Sequence, residues 1–405
     1  MRFMHISDLH LGKRLNETDL SADIEHALFS EIFGRIYSEV TAEAPDKPIE
    51  ALIIAGDIYD KSLPSADAEE LFGRLLSTAA GLGMKIFCIS GNHDSARRIA
   101  ANEQLLSKLG IYISREFSAE NPVRVERLGE FDIALLPFIA LPDVRASYPD
   151  EDIPDITAAV KTVLARAGLP GERPCILAAH QAASESGSGL VGTQQCVCSD
   201  VFSGFAYTAL GHIHTPADVG ERVRYCGSPV CFSGSEAKSP QKYVDIVDIE
   251  PDGSCAVQHR EIRPLHGFRI LDDSFERLMS DEYPPTTDYC YITVSDFDGV
   301  TGVTQQLRTK FVNLLSLKYR TETGSSAEED DSFDEDGWSF GGEFSRFCRK
   351  VTGGDPEEEL LKSAEYIFEL TEKAFAEGRI SELQQRTPEL CPGASEETGG
   401  DGDDN

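Results

Sequence analysis

Five short apolar runs along the chain each stop at a cluster of polar residues. Arg2 to Ile6 runs into Ser7-Asp8-Leu9-His10-Leu11-Gly12, and Glu50 to Ala55 into Gly56-Asp57-Ile58-Tyr59-Asp60. Met84 to Ile89 leads to Gly91-Asn92-His93-Asp94. Cys175 to Ala179 ends at His180, and Phe205 to Leu210 at Gly211-His212-Ile213-His214. Continuous apolar runs of this length fit strands of a sheet buried on both faces. Phe131 to Pro137, Tyr243 to Ile249 and Cys255 to Ile262 read as further strands.

Between these runs the apolar period becomes that of a helix. Ile24, Ala27, Leu28, Ile32, Ile36 and Val40 predict a helix from about Leu20 to Val40. Ser65, after Pro64, suits the N-cap of a helix whose apolar face is Ala68, Leu71, Phe72, Leu75 and Ala79. Ile99, Leu105, Leu106 and Leu109 predict a third helix, and Ile156 to Ala167 a fourth, closed by Gly168. A Ser/Gly-rich loop runs from Ser184 to Gly192. Alternation of this kind predicts a layered α/β fold, in which sites form at the carboxyl ends of strands.

The composition shifts near Pro264. A strand at Tyr289 to Val294 and a helix at Val303 to Leu315 predict a small α+β domain. Glu322 to Asp336 holds eight acidic residues and reads as a solvated linker. Phe344, Phe347, Cys348 and Val351, then Leu361, Ala364, Phe368, Thr371 and Phe375, predict two amphipathic helices. After Pro388 the acidic, Gly-rich tail reads as disordered.

A chain of 405 residues is expected to hold two or three domains. Its net charge of -33 is uneven: Thr321 to Asn405 carries 24 acidic and 7 basic residues. Such a chain is not an obvious independent nucleic-acid binder, because non-specific affinity comes from Lys and Arg meeting phosphates. Work on DNA needs positive charge brought by metals or by a partner. Ten cysteines without framework spacing predict reduced, buried thiols. With no leader and no apolar run of membrane-spanning length, the expectation is a cytoplasmic protein with no membrane partner.

The polar strand ends supply Asp8, His10, Asp57, Asn92, His180, His212 and His214. Oxygen and nitrogen donors without thiolate suit two divalent ions such as Mn²⁺, Mg²⁺ or Fe²⁺, with Asp57 bridging them. Two such ions can polarise a phosphoryl group for in-line displacement by water. Against two aspartates they leave a local positive surplus that attracts phosphate. His93, whose neighbour Asn92 supplies the ligand, is free to face a substrate and protonate a leaving oxygen. His5, His26, His259 and His266 lack such context and read as structural. Asp60 and Asp94 read as supporting or turn residues. Lys13, Arg14, Arg97 and Arg98 flank the site loops, where they either meet phosphates or are simply solvated.

These motifs resemble the calcineurin-like metallophosphoesterases. The stretches Ser7-Asp8-Leu9-His10-Leu11-Gly12, Gly56-Asp57-Ile58-Tyr59-Asp60, Gly91-Asn92-His93-Asp94, Gly211-His212-Ile213-His214 and Tyr225-Cys226-Gly227-Ser228-Pro229 narrow this to the bacterial SbcD-type nucleases. Asp288-Tyr289 to Val294 and Asn313 to Leu317 are similar to that family's capping domain. The resemblance implies a four-layer α/β/β/α sandwich over 1–263, a capping domain at 264–320 and an acidic linker at 321–340. Helices at 341–380 and a tail at 388–405 follow. It implies one Mn²⁺ on Asp8, His10, Asp57 and His214, a second on Asp57, Asn92, His180 and His212, and His93 as the catalytic histidine. It further implies a DNA exonuclease and endonuclease that forms a homodimer and works with an ATPase, SbcC. The chain has no G-x-x-x-x-G-K-[ST] motif, so ATP dependence would come from that partner.

The helices near Ala68–Ala79 and Ile99–Leu109 face either a second copy or their own sheet. The C-terminal helices dock on SbcC or pack on their own domain. The sequence after His180, Gln-Ala-Ala-Ser, departs from the family, and the acidic insert is long. The alternatives are a stand-alone cyclic-nucleotide or other small phosphodiesterase and a non-catalytic scaffold; Asp94, where the Ser/Thr phosphatases favour Glu, argues against that branch.

Overall fold

Strands Ala51–Ala55 and Cys175–His180 are buried along their whole length. Each occupies the middle of a six-stranded sheet. In the first sheet Arg2–Ile6, Ala51–Ala55, Lys85–Ile89 and Ile111–Ile113 run parallel. Lys242–Ile249 and Cys255–Ile262 close its other side antiparallel. In the second, Phe131–Leu135, Cys175–His180, Tyr207–Gly211 and Val223–Tyr225 run parallel. Arg124–Leu128 and Ala217–Gly220 are its antiparallel edges.

The layer order follows from alternation of side chains along each strand. Phe3, Ile53, Phe87 and Ile89 from the first sheet meet Ile133, Leu135, Ile176, Ala178, Tyr207 and Ala209 from the second. The intervening residues Met4, Leu52, Ile54, Ile86 and Cys88 face outward onto helices. Those helices span Ser21–Glu43, with a π-helical middle at His26–Ile36, and Ala66–Gly81. The six apolar positions expected of the first, from Ile24 to Val40, are all buried. Ser65 caps the second, its hydroxyl accepting from the Ala68 N–H at 3.3 Å. Ala134, Leu177, Ala179 and Leu210 pack on Ile156–Arg166 through Ile156, Ala159, Val160 and Val163. Each fully buried large side chain contributes about 1.5–3 kcal/mol. The result is an α/β/β/α sandwich.

The computed structural model describes residues 1–16, 18–187, 190–191, 194–296 and 300–320, with Phe344, Ser345, Cys348, Leu360, Leu361 and Ala364. The expected linker at 321–340, the tail at 388–405 and all but these six residues of 341–380 lie outside the described residues. Met1–Glu329 and Asp330–Asn405 form separate units. Among the described residues no helix is long and apolar enough to cross a membrane.

Two expected helices are corrected. The segment from Ile99 to Leu109 breaks into Ala96–Ile99, a 3-10 turn at Ala100–Asn102 and Glu103–Ser107. Glu103 is drawn inward by Arg115 at 2.6 Å and Arg124 at 2.7 Å, which leaves Leu105 and Leu109 each 63% exposed. The expected helix Val303–Leu315 ends at Arg308, and Phe311–Tyr319 is a strand. That strand lies parallel to Thr286–Ser295, which pairs in turn with Phe268–Ser274. Phe311 and Leu314 join Ile292, Val294, Leu278 and Leu307 in a core of their own, and that burial outweighs helical period. The other face of this small sheet packs Phe268, Tyr291 and Leu315 on the sandwich, where the Tyr289 hydroxyl donates to Asp23 at 2.7 Å.

Candidate active site

All eight residues singled out in the sequence gather at the carboxyl ends of the parallel strands of the two sheets. Three of these strands, Arg2–Ile6, Ala51–Ala55 and Tyr207–Gly211, run into residues of positive φ. Asp8, His10, Asp57 and His212 have φ of 53°, 43°, 47° and 102°. Two glycines permit the close approach of the loops. A Cβ on Gly91 would lie 2.1 Å from Asp57 Oδ1, and one on Gly211 would lie 1.9 Å from the Ala55 carbonyl oxygen.

Asp57 sits at the centre. Its Oδ2 lies 3.4 Å from His180 Nε2, 3.6 Å from His10 Nε2 and 4.0 Å from His93 Nε2. Its Oδ1 accepts from the His93 N–H at 2.9 Å. On one side the Nε2 atoms of His10 and His214 face each other at 3.1 Å, and Asp8 Oδ1 lies 3.9 Å from His214 Nε2. On the other side Asn92 Oδ1 meets His180 Nε2 at 3.1 Å and His212 Nδ1 at 3.0 Å. Asp8 Oδ1 also accepts from the His212 N–H at 2.9 Å, which joins the two halves. Donor atoms of Asp8, His10 and His214, and of Asp8, Asp57 and His180, fall within 4.8 Å of one another. His10, Asp60 and His93 form a third such group.

The charges are strongly coupled to burial. Burial alone would lower the His180 pKa, but the Asp57 carboxylate beside it raises it to about 9. Burial opposes the charge of Asp57, and His180, His10 and His93 overcome this and hold it well below the usual carboxylate range. Burial and the neighbouring His180 push His212 down to about 4. Burial lowers His10 as well. Desolvation and the charge of Asp57 raise Asp94 to about 6. Buried imidazole nitrogens and carboxylate oxygens thus converge, and His212 Nε2 and His10 Nδ1 are buried without a hydrogen-bond partner. This donor set fits divalent cations, which would take the place of the protons that otherwise compensate it.

His93 stands apart. Its Nδ1 lies 2.9 Å from the Asp60 carbonyl oxygen, so Nδ1 carries the proton it donates there. Its side chain is 40% exposed, the Asp57 carboxyl only 3%. Asp94 supports the loops by accepting from the N–H groups of Ile58, Tyr59 and Gly91. Asp60 holds Lys13, which is buried and 3.1 Å away. Lys13 is therefore turned into the protein, while Arg97 and Arg98 are exposed on the turn after His93. Sequence reasoning missed Ser7, whose hydroxyl donates to Asp8, and Glu236, whose Oε1 lies 3.0 Å from His214 Nδ1. Ser7 opens the Asp8-x-His10 motif but is no ligand type, and Glu236 lies in no motif with metal-ligand spacing.

The profile of the calcineurin-like phosphoesterases matches residues 1–216. The SbcD component of the nuclease SbcCD from Rhodobacter capsulatus is 33% identical over 302 residues, covering 67% of this chain and 71% of that protein. Its counterparts of the same name from Staphylococcus saprophyticus and Staphylococcus epidermidis are each 26% identical, over 334 and 333 residues, covering 79% and 78% of this chain and 85% of each relative. This protein belongs to the calcineurin-like phosphoesterases, hydrolases that work with divalent metal ions, in the branch of the SbcD proteins of the SbcCD nucleases.

Proposed function

We propose that this chain is a metal-dependent DNA nuclease, a double-strand 3′–5′ exonuclease and a single-strand and hairpin endonuclease. It acts with an SbcC ATPase in DNA end processing, repair, recombination and replication. The observation that carries this reading is the convergence of Asp8, His10, Asp57, Asn92, His180, His212 and His214 around one point, with His93 beside it.

Asp8, His10, Asp57 and His214 would hold one ion and Asp57, Asn92, His180 and His212 the other, Mn²⁺ being the first choice. Two bound ions supply Lewis-acid polarisation of a phosphate and lower the pKa of water. The residues do the rest. Asp57 ties both halves of the site together. The Asp60 carbonyl fixes the His93 ring, and His93 stabilises charge on the phosphate and delivers a proton to the leaving oxygen. Exposure of that ring leaves room for a nucleic-acid strand.

The assembly reading is a heterotetramer of two SbcC and two copies of this chain, in the cytoplasm. Exposed Leu63, Leu105 and Leu109 beside the helices Ala66–Gly81 and Glu103–Ser107 support a homodimer through that surface. The domain reading keeps 1–263 as nuclease, 264–320 as cap, 321–340 as linker and 341–380 as the SbcC-binding helices.

The test is Mn²⁺-dependent cleavage of linear duplex and hairpin DNA by the purified chain, with and without SbcC and ATP. Cutting that His93→Leu abolishes and SbcC extends is the expected result. Hydrolysis of a small phosphodiester with no cutting of any DNA overturns the reading in favour of a stand-alone phosphodiesterase.

A further inference from the structure

His214 is gripped from behind by a buried polar cluster on a different part of the chain. Glu236 opens a 3-10 turn, Glu236–Lys238, and is 6% exposed. Its Oε1 faces His214 Nδ1 at 3.0 Å and accepts from the Phe232 N–H at 3.2 Å. Its Oε2 accepts from Ser228 Oγ at 3.3 Å and from Lys242 Nζ. Lys242, 4% exposed, also donates to the His214 carbonyl at 3.1 Å and to Ser228 Oγ at 2.8 Å. The Ser228 N–H donates to the same carbonyl at 3.1 Å. Gly227 has φ of +80°, and a Cβ there would meet that carbonyl at 2.7 Å. The ring of Phe232 sets its edge against His214 and His10, at centroid distances of 5.7 Å and 5.2 Å.

A buried ion pair is a poor way to stabilise a fold, since an apolar pair of the same shape does as well or better. This one converges on a single imidazole nitrogen and on the carbonyl of the same residue. An ionised carboxylate can only accept, so a bond to Nδ1 requires the proton on Nδ1. In the neutral ring, the form that can ligate a metal, Nε2 is then the lone-pair nitrogen, and Nε2 is the atom 3.1 Å from His10 Nε2 and 3.9 Å from Asp8 Oδ1.

We propose that Glu236, paired with Lys242, is a positioning residue that fixes the tautomer and orientation of His214 so that Nε2 is presented to a divalent ion. The inference rests on the two-ion reading of the site. Carboxylate partners behind ligating histidines typically carry a 10–100-fold effect on metal affinity.

The test is calorimetric titration of the full, metal-free chain with Mn²⁺. Glu236→Leu/Lys242→Met keeps shape without charge, and Glu236→Gln/Lys242→Met restores an amide oxygen that accepts from Nδ1. The expected result is that the first variant loses about 10–100-fold in affinity for one of two Mn²⁺ while the second stays within roughly threefold of the parent. Parent-like binding of both ions by a folded Glu236→Leu/Lys242→Met chain, or equal losses in both variants, overturns the proposal. A measurement on the unsubstituted chain decides the case if the first variant does not fold. The ¹⁵N ring shifts of His214, assigned by their loss in His214→Asn, must show the proton on Nδ1, and a proton on Nε2 overturns it. Failure of the unsubstituted chain to take two Mn²⁺ would instead defeat the two-ion reading itself.

Discussion

The carboxylate of Asp94 accepts the backbone N–H of Ile58 at 3.0 Å, tying the loop after strand Lys85–Ile89 to the loop after strand Ala51–Ala55. The same carboxylate accepts from Tyr59 and Gly91, each at 2.9 Å. Asp57 and His93 project from the two loops so joined.

Removing that acceptor leaves three N–H groups without their partner. Bonds to charged groups are each worth about 1.5–3 kcal/mol and do not add fully. Asp94→Ala is expected to destabilise the protein by about 2–4 kcal/mol in urea unfolding, and Asp94→Asn by less. A loss below about 1 kcal/mol in Asp94→Ala would show that the loops are held by other means.

On the proposed mechanism His93 serves the reaction and not the binding of ions. His93→Leu is expected to lower cleavage by about 10²–10⁴-fold. Mn²⁺ stoichiometry should stay at the parent value, read by titration. Loss of an ion along with activity would make His93 a ligand.

Two glycines make a matched pair. At Gly211 a Cβ meets the Ala55 carbonyl, a backbone atom in the neighbouring sheet, whereas at Gly73 nothing lies within 4 Å. Gly211→Ala should force the strand ends apart and cost about 1–3 kcal/mol or more. Gly73→Ala, in the exposed face of helix Ala66–Gly81, should raise stability by about 0.4–1 kcal/mol. Thermal melts of the two variants would refute the packing argument if both moved the same way.

His5 makes stability depend on pH. It is fully buried beside Tyr207, whose hydroxyl lies 3.1 Å from Nδ1, and burial depresses its pKa to about 4. The unfolded chain takes up that proton near pH 6.5, the folded chain only near 4, so stability falls as pH drops between those values. At about 1.4 kcal/mol per unit the contribution is about 3 kcal/mol over the window. His5→Leu should flatten the urea stability of the chain between pH 6.5 and 4.5 by roughly that amount. An unchanged slope would mean that His5 is protonated in the fold.

The sequence disclosed the sandwich because its central strands are buried on both faces and therefore read as unbroken apolar runs, Ala51–Ala55 above all. It disclosed which eight residues would gather at one point, because each sits where such a run stops. It did not disclose Glu236, since what makes it part of the site is a contact across the fold and not a spacing along the chain. The helix expected over Val303–Leu315 failed for a related reason. Phe311 and Leu314 satisfy helical period, yet the partner strand Thr286–Ser295 that decides their conformation is distant in sequence. Leu105 and Leu109 misled in the same way, because the ion pairs of Glu103 choose which side of that segment faces inward.

Asp8, His10, Asp57 and His212 all hold backbone conformations that an L-residue adopts at a cost of roughly 1–2 kcal/mol each, and that glycine adopts freely. Selecting this protein for heat resistance alone would therefore drift toward glycine at these four positions. The most thermostable descendants of such a selection would be the ones that had dismantled their own chemistry, and a screen for them has to read catalysis at every round.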